Sequence, residues 1–62
     1  MRFAAGDLYT WMACERRYKG QLIDIYYNRK REMIGVFITR QKETWELPLR
    51  YPTLEMYKGE NE

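Results

Sequence analysis

Three runs of strand-forming residues, Leu22 to Tyr27, Met33 to Thr39 and Thr44 to Tyr51, are separated by short basic segments, and this spacing constrains the fold of the 62-residue chain more than any other feature. Apolar residues recur in them at period two, the pattern of strands with unlike faces. Asn28-Arg29-Lys30-Arg31 is the first expected turn. With Arg29 and Lys30 at its centre, Ile25 falls opposite Ile34 and Ile23 opposite Val36. A second turn centred on Gln41 and Lys42 sets Ile38 opposite Trp45, Val36 opposite Leu47 and Ile34 opposite Leu49. Both registers gather apolar side chains on one side, which is the condition that fixes register when one face is buried. The expected core face is then Ile23, Ile25, Ile34, Val36, Ile38, Trp45, Leu47 and Leu49. Leu22, Tyr26, Met33 and Phe37 are left on the other face. Neither turn has Gly or Asn at its centre, where two-residue hairpin loops prefer them, so wider loops or a bulge are the alternative. Pro48 has no N–H to give a ladder and marks the third run as an edge strand.

The segment before these runs reads in two ways. Asp7 is placed to cap a helix in which Leu8, Trp11, Met12, Glu15 and Tyr18 recur at helical spacing, with Gly20 just past its end. The rival is a strand from Leu8 to Met12, favoured by Tyr9, Thr10 and Trp11. That strand must turn through Ala13-Cys14-Glu15-Arg16-Arg17, which lacks every residue that usually makes turns, so the helix is preferred. After Tyr51, Pro52-Thr53 is expected to start a short helical turn through Leu54, Met56 and Tyr57. Residues 59–62 read as a frayed tail. The fold class expected is therefore α+β, a single domain over residues 1–62 with an N-terminal helix packed on a three-stranded antiparallel meander.

A second architecture is open. The Gly6-Asp7 opening, followed by short strand-like runs, resembles the start of small SH3-like β-barrels. That resemblance implies a first strand over Leu8 to Met12 and a short turn over Pro52 to Leu54 before a last strand.

Size and composition narrow the function classes. A chain this short buries only about 60% of the surface its unfolded form exposes, enough for one thin core that a homo-oligomer would enlarge. Hydrophobic residues at 45% and aromatics at 16% are too abundant for a disordered chain. No apolar stretch is long enough for a signal peptide or a membrane span, and cytoplasmic residence without a membrane partner is expected. The chain has no His and one Cys. It therefore has no internal disulfide, no zinc-ligand spacing and no imidazole for acid–base work, so neither metal, cofactor nor catalysis is expected. Cys14 is expected to be buried and inert.

Charge is distributed unevenly. Between residues 16 and 42, Arg16, Arg17, Lys19, Arg29, Lys30, Arg31, Arg40 and Lys42 face only Asp24 and Glu32, whereas residues 43–62 hold five Glu against Arg50 and Lys58. The eight cations are candidate phosphate contacts, and Tyr26 and Phe37 are candidate stacking residues, for DNA or RNA. Nucleic-acid binding by a small regulator is thus the first functional expectation. The alternative is a protein-binding module or inhibitor, with Leu22, Tyr26, Met33 and Phe37 as its apolar centre, Arg50 at its rim, and a homodimer as one form.

Overall fold

The computed structural model describes residues 3–57, and the expected frayed tail at 59–62 lies outside them. Five strands make up the chain: β1 (Leu8–Ala13), β2 (Arg16–Tyr27), β3 (Met33–Thr39), β4 (Thr44–Pro48) and β5 (Glu55–Met56). They form one antiparallel sheet in the order β4-β3-β2-β1-β5. No described residue is helical, and β4 and β5, the two ends of the sheet, do not pair. This corrects both expected architectures: the sheet has neither a helix packed on it nor the closure of an SH3-like barrel. The expected C-terminal helical turn is corrected as well, because Leu54 N–H donates to the Tyr51 carbonyl at 3.1 Å in a single tight turn that leads into β5.

The helix fails because Cys14 and Glu15 accept a conformation that side chains usually avoid. Their φ values are 51° and 63°, so the two residues close a β1–β2 hairpin in which Ala13 pairs with Arg16. Positive φ at both central positions is the signature of a type I′ turn. Each left-handed residue costs about 1–2 kcal/mol. Against that cost, the strand sends Tyr9 and Trp11 to the same face, where both are buried. An aromatic side chain removes about 150–250 Å² from water, worth roughly 4–6 kcal/mol at about 25 cal/mol per Å². Burial outweighs the turn.

The other two hairpins have three-residue loops. Asn28 N–H donates to the Glu32 carbonyl at 3.0 Å and Arg31 N–H to the Asn28 carbonyl at 2.9 Å, with Arg31 at φ 65°. Thr39, Lys42 and Glu43 repeat this pattern, with Lys42 at φ 72°. In each loop a left-handed residue completes a turn that would otherwise need Gly. The side chain at the start of each loop holds it: Asn28 Oδ1 accepts from the N–H groups of Lys30 and Glu32, both at 2.9 Å, and Thr39 Oγ1 accepts from Glu43 N–H at 3.2 Å.

One extra residue per loop moves the whole β3–β4 register by one place, and the β2–β3 register by one place as far as the bulge at Ile23, beyond which Leu22 pairs with Phe37 as a two-residue turn would have it. Ile25 pairs with Gly35 rather than Ile34, and Phe37 with Trp45 rather than Ile38 with Trp45. A β-bulge at Ile23 shifts the pairing between Leu22 and Asp24, so that Leu22 and Ile25 both turn inward although three positions apart. The expected core face is therefore corrected. Leu22 and Phe37 are 0% exposed and form the core with Tyr9, Trp11 and Leu47, against which Ile25, Trp45 and Leu49 pack as expected, while Val36, Ile38 and Ile34, the last still buried at 7% exposure, belong to the opposite face.

The sheet coils around this core. Trp11 on β1 and Trp45 on β4 have ring centroids 5.7 Å apart, although three inter-strand steps of about 4.8 Å would separate those strands in a flat sheet. Tyr18, at 4.6 Å from Trp45 and 6.1 Å from Trp11, completes the contact. Gly20 lets the strands close this tightly: a Cβ there would lie 3.0 Å from the Trp11 ring and 3.1 Å from the Ile38 carbonyl. The edges are limited. β5 covers only Tyr9 and Thr10, and beyond it Met12 is held by the side chains of Thr53 and Tyr51. On β4, Pro48 ends the outward row of donors. No helix is long and apolar enough to cross a membrane among the described residues.

Candidate interaction surface

The register fixes what the outward side of the sheet displays. Four of the rows that cross it are Glu55, Thr10 and Lys19; then Leu8, Gln21, Ile38 and Thr44; then Asp24, Val36 and Glu46; then Tyr26, Ile34 and Pro48. β3 thus runs an aliphatic stripe down the middle, with polar and acidic residues on the strands beside its central position. Leu8, Ile23 and Tyr26 remain 41%, 46% and 40% exposed at its margins. Tyr26 reaches across β3 and donates its hydroxyl to Glu46 Oε1 at 2.6 Å, which lays the ring against the stripe next to Ile34. That hydrogen bond, followed by partial desolvation and the Glu46 charge, holds the phenol pKa above its ordinary value of 10.0.

Of the residues expected at a protein interface, only Tyr26 lies on this surface. Leu22 and Phe37 are sealed in the core and are corrected as interface residues. Phe37 is likewise corrected as a stacking candidate. Met33 and Arg50 sit elsewhere, in an open groove beside the β2–β3 loop with Phe3, Pro48 and Leu49. Arg50 pairs there with Glu32 at 3.4 Å. The Asn28 side-chain amide donates to Glu32 at 2.9 Å and, ahead of the Arg50 and Lys30 charges, holds its carboxyl below the ordinary 4.5 against an opposing desolvation effect.

The eight cations fall into two groups. Arg29, Lys30 and Arg31 make the β2–β3 tip; Lys30 and Arg31 share the Glu32 groove. At the opposite end of the sheet, the start of β2 brings Arg16, Arg17 and Lys19 beside the β3–β4 loop with Arg40 and Lys42. Arg16, Arg17, Lys19 and Arg40 line one groove together with Glu43. Lys19, Arg40 and Lys42 line the adjoining one together with Leu8, Gly20 and Ile38, and no acidic residue lines it among the described residues. Lys19 Nζ rests 4.3 Å above the Tyr57 ring.

Cys14 is exposed in its turn, which corrects the expectation that it is buried. No cluster of three or more His, Cys, Asp or Glu residues able to hold a metal occurs among the described residues. Sequence reasoning missed Leu8, Ile34, Val36 and Ile38 as outward residues. Their alternation was visible, but alternation is blind to which side is buried, and a one-residue difference in loop length decides it. Comparison with protein-family models, curated proteins and solved structures finds no match for this chain.

Proposed function

We propose that this chain is a small protein-binding module whose outward sheet face receives its partner. The observation supporting it is the aliphatic stripe of β3 with Leu8, Ile23 and Tyr26 exposed beside it and polar residues around it. Contiguous apolar surface with a polar rim is what protein interfaces use, and here the exposed Leu8, Ile23 and Tyr26 flank the partly exposed Val36 and Ile38. The nucleic-acid reading has weaker support. Phe37, one of its two stacking candidates, is in the core, and Tyr26 is bonded to Glu46, which shares a row with Asp24, so that phosphate is repelled there.

The test is affinity capture with the whole chain after nuclease treatment and a high-salt wash. Wild-type protein is expected to retain a protein that an Ile23→Asp variant of unchanged melting temperature loses. If the second copy is the partner, the solution mass rises with concentration in the wild type and stays monomeric in that variant. Retention abolished by nuclease, or equal retention by both chains, defeats the proposal.

A further inference from the structure

We infer that the basic end of the outward face seats an extended acidic peptide carrying an aliphatic anchor, a reading that rests on the outward face being the binding surface. The seat is the groove in which Leu8 and Ile38 form the floor, Gln21 lies between them, and Lys19, Arg40 and Lys42 stand around it. Its volume of about 370 Å³ is in the range of ligand clefts, about 300–1,000 Å³.

Charge complementarity selects the occupant. Two further grooves each mix their cations with a carboxylate, Glu32 in one and Glu43 in the other, whereas the lining of this one holds three cations and, among the described residues, no carboxylate, although Lys19 and Arg40 also border the Glu43 groove. The floor is aliphatic and continuous with the stripe of β3, so it takes a Leu- or Ile-like side chain while the rim takes carboxylates. Nucleic acid fits less well, because bases bound without sequence preference stack on exposed aromatic rings, the lining holds none among the described residues, and the nearby Tyr57 ring is covered by Lys19.

The rim is also held in place before anything binds. Lys42 N–H donates to the Thr39 carbonyl at 2.9 Å and Thr39 N–H to the Glu43 carbonyl at 2.9 Å, fixing the loop that carries Arg40 and Lys42. Lys19 is steadied over Tyr57. Groups fixed in advance lose less entropy on binding. Lys42 stands at φ 72°, where Gly would be less strained, so the position carries a cation at the expense of an easier turn.

Fluorescence anisotropy with the intact chain tests this, using a labelled heptapeptide Glu-Asp-Glu-Leu-Glu-Asp-Glu, its Leu-to-Ser form, and a single-stranded oligonucleotide of equal charge. The heptapeptide is expected to bind, the Ser form to bind more weakly, and the double variant Arg40→Glu, Lys42→Glu to lose at least about tenfold in affinity. Lys42→Gly is expected to weaken binding while melting at or above the wild-type temperature, which separates a role in binding from one in folding. Heptapeptide binding that is absent or indifferent to these substitutions overturns the inference, as does tighter binding of the oligonucleotide to the same groove. Should the groove fail while Ile23→Asp still abolishes capture of a protein, the outward face stands and only this occupant is wrong.

Discussion

Cys14, Glu15, Arg31 and Lys42 each occupy left-handed backbone, and each stands at a hairpin loop where Gly or Asn would be easier. The chain bears this strain at four residues because the strands they join bury a common aromatic cluster. Relieving it at the first turn is expected to stabilise the protein: Cys14→Asn with Glu15→Gly supplies the pair that type I′ turns prefer and raises stability by about 1–2 kcal/mol, read from urea unfolding. The same residues explain why the first hairpin was illegible in the sequence. Tyr9, Thr10 and Trp11 carried the strand signal, but Cys14 and Glu15 gave no turn signal to accompany it, and the helical spacing of Leu8, Trp11 and Met12 filled the gap.

Among the elements, β2 does the most to shape the sheet. Residues 16–19 pair with β1 alone, Gly20 and Gln21 with both β1 and β3, and the remainder with β3 alone, and the bulge at Ile23 resets which side chains face inward on either side of it. Deleting Ile23 would force either Leu22 or Ile25 out of the core and is expected to cost at least about 1.5–3 kcal/mol, the worth of one buried aliphatic side chain. Ile23→Ala, which trims an exposed side chain and keeps the bulge, is expected to change stability by less than about 0.5 kcal/mol, and denaturant midpoints of the two variants decide the matter. The three later strands, their order, and Pro48 on an edge were legible in the sequence. The inward facing of Ile25, Trp45, Leu47 and Leu49 was legible too, but that of Leu22 and of β3 was not. Two loops each one residue longer than a tight turn moved Phe37 inward and Ile34, Val36 and Ile38 outward, and an alternating apolar pattern reads the same from either side.

At the scale of the whole molecule, one coiled sheet must supply both its own core and its outer surface. For 62 residues a net stability of about 3–9 kcal/mol is typical. Phe37 touches both Tyr9 and Trp11, at ring-centroid distances of 5.7 Å and 5.2 Å, so Phe37→Ala, at about 3–5 kcal/mol, is expected to leave much of the protein unfolded at room temperature by circular dichroism. The cations at the two ends became legible as groups from the meander alone, since the start of β2 and the β3–β4 loop must share one end of it. Which groove within the second group has no carboxylate in its described lining depended on side-chain neighbours that spacing does not reveal. The chain's two tryptophans, Trp11 and Trp45, meet in the place where the coil closes. The protein therefore carries its own optical gauge: their coupled near-ultraviolet transitions and shared emission dim or shift together whenever β1 and β4 draw apart, so a breathing motion of the sheet is visible without any added label.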